Sequence, residues 1–299
     1  TCPRSPCSTS RARTRWSRSS CCATRTPTAR ASRDASEHDK LGHGLHEKAD
    51  RRLADILSPK DGDICLDVAT ASGNLAIAMG QRVGPSGKVL AIDLAEGMLE
   101  FAQRKARAHK ARNIEFVRMD AQNLEFEDNT FDVVACGLAL FYFPDIEGAL
   151  QEMWRVLKPG GKLGVSSADA ENAFSPLSEP YMAGLRKTSE RLNLDPPAYS
   201  ELAALTRRKD TLQELIKKAG FEGVQMHEED IPVRFNSFED WWTYGRGSTW
   251  GEILLDQMTE EQRADFQASH NEEVGKLFGD EGVKTATPVL FATAVKPKK

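Results

Sequence analysis

The stretch "ICLDVATASGNLAIAMG" carries Asp67 into a turn of small residues, Ala69 to Gly73, and then into an apolar run containing Leu75, Ile77 and Met79. Asp93 closes the next apolar run, "KVLAID", and Asp120 follows a third, "IEFVRM". A strand that turns tightly into a helix, followed by a strand ending in an acid, is a device for holding a nucleotide-like ligand. The turn lets backbone approach the ligand, and the carboxylate accepts both ribose hydroxyls in a charge-assisted pair of bonds. A third carboxylate at Asp120 is placed to meet an adenine amino group. For a dinucleotide the spacing requires G-x-G-x-x-G at 69, 71 and 74, where the chain has Ala, Ala and Asn, and none matches. Read as D-x-G-x-G-x-G, the window gives Asp67, Ala69, Ala71 and Gly73, both replacements being the next smallest residue. Asp93 then lies twenty residues beyond Gly73.

Alternating elements must hold these residues in place. Helical spacing over 46–57 precedes a strand at 64–68, a helix at 73–83, the turn "GPSG" at 84–87 and a strand at 88–93. A helix at 95–109, strands at 114–119 and 131–136, a helix at 146–157, the stop signal "KPGG" at 158–161 and a strand at 162–167 follow. Strands separated by helices predict a parallel sheet covered on both faces. A helix at 210–219, a strand at 221–227 and the terminal strand "PVLFATAVK" complete the pattern. Two insertions interrupt it, at about 168–208 and 230–285, the second containing a capping box at Thr259 and Gln262.

Residues 1–33 hold eight arginines and no acid, so removing their +8 from the net −4 leaves −12 on the rest. An acidic body is a poor partner for nucleic acid. No run of 18 or more apolar residues is present to span a membrane. Residues 1–36 read as a disordered Arg/Ser-rich tail, a terminal extension or expression remnant, and residues 37–299 as one domain. The expected location is cytoplasmic, or an organelle if residues 1–33 are a transit peptide. Four of the six cysteines lie in the tail, while Cys65 and Cys136 are expected as buried thiols. No Cys or His spacing supports a metal site, and "HGLH", with His43 and His46, reads as solvated sequence entering the first helix.

At this point the chain resembles a class I S-adenosylmethionine-dependent methyltransferase from about Leu53 to Ser167, with weaker likeness over 209–228 and 288–295. "ICLDVATASGNLAIA", "VLAIDLAEGMLEFAQRKA", "VRMDAQNLEFEDNTFDVV" and above all "GALQEMWRVLKPGGKLGVSS" carry the resemblance. They are similar to the ubiquinone/menaquinone-biosynthesis and small-molecule branch. The resemblance implies an α/β fold with a Rossmann-like, mostly parallel seven-stranded sheet, helices on both faces and a helical lid formed by the insertions. It implies S-adenosylmethionine as cofactor, with backbone from Ala69 to Gly73 against the methionine part and Asp93 on the ribose. Leu94 and Met98 would flank the adenine, Asp120 and Ala121 would meet its edge, and Gly137 and Leu138 would line the methionine side. The chain departs from the family at Ala71, where glycine is usual, and at Phe141 and Tyr142, where relatives often have His. One methyl at each of Ala69 and Ala71 is expected to fit if the backbone avoids positive φ.

Methyl transfer from a sulfonium is an in-line displacement that rests on alignment and exclusion of water. A base is required only if the acceptor must lose a proton. The reaction expected is transfer to a small apolar or aromatic molecule, with a nicotinamide oxidoreductase or a non-catalytic binding protein on the same fold as alternatives. Trp241, Trp242, Tyr244, Trp250, Phe266, Tyr181 and Tyr199 are expected to line the acceptor pocket. His227, His270 and Tyr244 are the candidate bases, and no catalytic residue is assigned. The sequence leaves the oligomeric state open.

Overall fold

A computed structural model describes residues 43–168, 174–194 and 205–298, with only the backbone described at 249, 250, 252 and 253. Helix α1 (Leu45–Leu57) buries Leu45, Ala49, Leu53, Ala54 and Leu57 on one face. Strand β1 (Ile64–Val68), helix α2 (Asn74–Val83), strand β2 (Lys88–Asp93), helix α3 (Glu96–Ala108) and strand β3 (Ile114–Arg118) form the first half of the chain. Strand β4 (Phe131–Cys136), helix α4 (Ile146–Val156), strand β5 (Leu157–Ala168) and helix α5 (Ser178–Leu192) follow. Helix α6 (Lys209–Lys218), strand β6 (Glu222–Phe235), helices α7 (Phe238–Gly247), α8 (Thr249–Asp256) and α9 (Glu260–Val274), and strand β7 (Val283–Val295) complete it.

The seven strands form one sheet in the order β3-β2-β1-β4-β5-β7-β6. β1 pairs in parallel with β2 and with β4, and β7 runs antiparallel to both β5 and β6. Cys65, Leu66, Val68 and Val133 to Cys136 are all buried, as strands covered on both faces must be. On one face Leu53, Leu57, Met79 and Val83 pack from α1 and α2; on the other Leu150, Met153, Leu212 and Ile216 pack from α4 and α6. The strand order reverses between β1 and β4, so the crevice for a ligand opens at their carboxyl ends. Asp67, in register with Ala91 and Ala135, sits at that edge.

Several boundaries differ from the sequence reading. The helix before "KPGG" ends at Val156, but the strand expected from 162 already starts at Leu157 and bulges, so that Phe131 faces Leu157 and Val133 faces Lys162. β6 extends to Phe235 and β7 begins at Val283, so the segment expected as an insertion over 230–285 starts and ends within strands. The charged run Glu228 to Asp230 and Pro232 hide that extension, and both are features of an edge strand. Helix α9 has the expected capping box, with Thr259 and Gln262 bonded reciprocally. Cys65 and Cys136 are buried free thiols. His43 is not solvated sequence: its Nε2 lies 3.3 Å from Asp240 Oδ1, and its ring meets Phe235 edge-on.

The largest revision concerns the aromatic residues. Tyr181, Trp241, Trp242 and Phe266 are buried and pack on one another, joined by Phe174, Phe235 and His270. They form the core that joins α5, α7 and α9 to the β6–β7 extension, instead of lining a pocket. Sequence alone cannot separate these roles, because large rings serve both. Tyr244 is partly exposed, Tyr199 lies outside the described residues, and the side chain of Trp250 is likewise not described.

Candidate cofactor site

The turn after β1 is held by two backbone bonds: Thr70 N donates to Ile92 O of β2 at 2.8 Å, and Gly73 N donates to Thr70 O within the turn at 2.8 Å. Its conformation alternates into the left-handed region, with φ of 58° at Ala69, 46° at Ala71 and 82° at Gly73. The condition set for the alanine methyls to fit, a backbone that avoids positive φ, is therefore not met at either position. Only Gly73 is free of that strain, and a Cβ there would also stand 3.0 Å from Ala102 Cβ.

Asp93 explains how Ala71 is held in this state. Its Oδ2 accepts from Ala71 N at 2.9 Å and its Oδ1 accepts from Ala95 N at 2.9 Å, so one carboxylate ties the turn to the loop after β2. A left-handed alanine costs about 1–2 kcal/mol, and glycine returns about 0.5–1 kcal/mol of that through its freer unfolded chain. Ala71→Gly is accordingly expected to raise the melting temperature by about 1–3 °C, at roughly 2–4 °C per kcal/mol for a domain of this size. An unchanged or lower melting point would contradict the left-handed geometry.

Asp67 lies behind the turn. It is buried, its Oδ2 accepts from Thr70 Oγ1 at 2.6 Å, and it accepts from the Ala76 amide in the first turn of α2. Burial pushes its pKa up to about 7, against the two hydrogen bonds and with a smaller contribution from the Asp93 charge. Thr70, whose hydroxyl fixes this carboxylate, was not singled out from the sequence.

Beyond β2, Leu94 is 41% exposed, an open apolar surface beside Asp93. Met98 is buried with Ala95 against Phe101. Met119 N donates to Asp93 O at 3.2 Å, which brings the end of β3, and hence Asp120, alongside. Asp120 is a turn former, its Oδ1 accepting from Gln122 N at 2.9 Å; its Oδ2 makes no hydrogen bond among the described residues. Ala121 is buried next to it. After β4, Gly137 leads into Leu138, whose amide donates to Ser166 O and to Ser166 Oγ, each at 3.1 Å. The rings of Phe141 and Tyr142 follow, with centroids 4.2 Å apart.

The candidate bases separate clearly. His270 is buried and its Nε2 accepts from Trp241 Nε1 at 2.9 Å, while burial lowers its pKa to about 4. It is a neutral core acceptor. His227 is paired with Glu229 on β6, where Glu229 also receives Arg52 of α1. Burial raises the Tyr244 hydroxyl above its usual range, so it holds its proton at neutral pH. Among the described residues no group of three or more His, Cys, Asp or Glu is placed to hold a metal.

An open groove of about 770 Å³, lined by Lys88, His109, Lys110, Arg112 and Ile114 among others, lies at the amino ends of β2 and β3. That is the opposite end of the sheet from Asp67 and Asp93. The residues at the carboxyl ends fit a cationic nucleoside: a clamped turn, a ribose-height carboxylate, an open apolar side chain and surrounding negative charge.

Comparison with known proteins accords with this geometry. Residues 33–233 match the ubiE/COQ5 methyltransferase family. The ubiquinone/menaquinone biosynthesis C-methyltransferase UbiE of Klebsiella pneumoniae is 34% identical over 198 residues, covering 64% of this chain and 78% of that protein. A SAM-dependent methyltransferase from Aquifex aeolicus superposes with a TM-score of 0.50 at 18% identity, covering 88% of this chain and 99% of that one. The [4+2]-cyclase SpnF has the same fold, with a TM-score of 0.53 at 19% identity over 85% of this chain and 82% of that one. Among the described residues no helix is long and apolar enough to cross a membrane. The chain belongs to the ubiE/COQ5 methyltransferase family, within the class I methyltransferases that use S-adenosylmethionine.

Proposed function

We propose that this chain transfers a methyl group from S-adenosylmethionine to a ring carbon of a small, planar, apolar acceptor of the quinol class. The observation that carries the reading is the turn from Ala69 to Gly73 clamped by Asp93, with Asp67 behind it. The UbiE relative, named for C-methylation in ubiquinone and menaquinone biosynthesis, supports the acceptor class. In this reading Asp93 holds the ribose, Leu94 and Met98 flank the adenine, and Asp120 and Ala121 meet its edge. Backbone from Ala69 to Gly73, with Gly137 and Leu138, lines the methionine part. The cofactor, when bound, supplies an electrophilic methyl group on a sulfonium. The chain's part is to align the acceptor carbon with that methyl and to exclude water.

Phe141, Tyr142 and Tyr244 flank the acceptor in this reading, and α5, α7, α8 and α9 form its lid. The nearness of the half-buried Tyr244 to Tyr142, whose charge acts on its hydroxyl, supports that placement. The reaction is tested by incubating the chain with methyl-labelled cofactor and a prenylated hydroquinone bearing an unsubstituted ring carbon. A C-methylated product is expected. An O-methylated product, or none, would contradict the acceptor assignment.

The site's charge also sets a pH dependence. The cofactor carries a net positive charge, so ionised Asp67 favours its binding, with Asp93 and Asp50 the other carboxylates nearby and Cys136 the adjoining thiol. With the Asp67 pKa at about 7, affinity is expected to rise about tenfold from pH 6 to pH 8. Without cofactor, the raised pKa means that Asp67 contributes stability fully only below its unfolded value, and that contribution is lost as pH rises toward 7. Calorimetry across this range, with Asp67→Asn as the non-titrating control, checks the slope. A flat profile in the parent chain would contradict it.

A further inference from the structure

Helix α1 brings a residue to this site that the strand-end motifs do not include. Asp50 lies on α1 between Ala49 and Leu53 of its buried face, and its own side chain is half-buried. A Cβ built on Gly137 would overlap Asp50 Oδ1 and stand 3.3 Å from Leu75 Cδ2. The missing side chain at Gly137 is therefore what lets the Asp50 carboxylate reach the carboxyl end of β4. The charges of Asp50, Asp67 and Asp93 all act on Cys136, the last residue of that strand, which places three carboxylates around the ends of β1, β2 and β4.

The cations of α1 point elsewhere. Lys48 Nζ donates to Pro232 O, Arg51 pairs with Glu47, and Arg52 forks onto Glu229 of β6. The contacts to β6 pin the helix across the sheet and so fix where Asp50 sits. Of the charged side chains of α1, it is the one set against the backbone at Gly137.

We propose that Asp50 binds the α-ammonium group of the cofactor's methionine moiety. This rests on the placement of that moiety along Gly137 and the 69–73 turn given above. A carboxylate held at the end of β4 offers a compact ammonium an opposite charge, and a charge-assisted bond of this kind is among the stronger ones available to a protein.

The test is calorimetric titration of the full chain and of Asp50→Asn with S-adenosylmethionine, S-adenosylhomocysteine and 5′-methylthioadenosine, which lacks the amino-acid end. Asp50→Asn is expected to weaken the first two by a similar factor, about 10- to 100-fold, and to leave 5′-methylthioadenosine unchanged. Gly137→Ala, which displaces the carboxylate without removing it, is expected to give the same pattern and serves if Asp50→Asn folds poorly. Unchanged binding of S-adenosylmethionine to a folded Asp50→Asn chain would overturn the assignment. So would equal weakening of all three ligands, which marks a structural role, or weakening of S-adenosylmethionine alone, which places the carboxylate at the sulfonium. Failure of the parent chain to bind any of the three would instead overturn the cofactor placement on which the assignment rests.

Discussion

An Asp93→Ala chain is expected to bind S-adenosylmethionine about 100-fold more weakly than the parent, or worse. Two ribose bonds to a charged acceptor, at about 1.5 kcal/mol or more each, give about 3 kcal/mol, and 1.4 kcal/mol is a factor of ten. The same change releases Ala71 N and Ala95 N, the two amides that the carboxylate holds at 2.9 Å, so the turn loses its clamp as well as its ribose acceptor. Both roles are compatible, because an ionised carboxylate accepts at about four sites. Asp93→Asn keeps one acceptor oxygen and is expected to fall between the two. Affinity equal to the parent in a folded Asp93→Ala chain would remove the ribose assignment.

Trp241→Ala is expected to lower stability by about 3–5 kcal/mol, the range for truncating a fully buried large ring. Trp241 is 1% exposed and contacts Phe174, Tyr181, Phe235 and Tyr244, and its indole N–H is the donor to His270. The loss falls on the lobe built from α5, α7 and α9, away from the β1–β2 turn. Methyl transfer is therefore expected to disappear at temperatures where cofactor affinity is still within about threefold of the parent, a change of under 1 kcal/mol. Thermal melts followed by two signals, tryptophan fluorescence and bound cofactor, check this. Loss of cofactor binding in step with loss of the lobe would show that the two halves act as one unit.

The parallel half of the fold was legible because β1, β2 and β4 are short apolar runs bounded by turns and separated by helical spacing. Asp67 and Asp93 were singled out from where such strands end, and Gly137 from the family resemblance alone. The extension of β6 was not legible, since an edge strand carrying Glu228, Glu229, Asp230 and Pro232 has the composition of a loop. The left-handed φ at Ala69 and Ala71 was hidden for a different reason: alanine favours negative φ on its own, and only the surrounding bonds, Asp93 among them, impose the other state. Tyr181, Trp241, Trp242 and Phe266 were misplaced because ring content does not say whether a ring faces a ligand or another ring. Asp50 did leave a signal: a carboxylate bordering the buried stripe of an amphipathic helix needs a reason to be there.

Calorimetric titration of the purified chain with S-adenosylmethionine, S-adenosylhomocysteine and NAD tests the central claim, that the turn from Ala69 to Gly73 with Asp93 holds a sulfonium nucleoside. Binding of both adenosyl ligands at one per chain, with no heat from NAD, is the result this structure predicts. Binding of NAD in their place, or no binding of either adenosyl ligand, would contradict it.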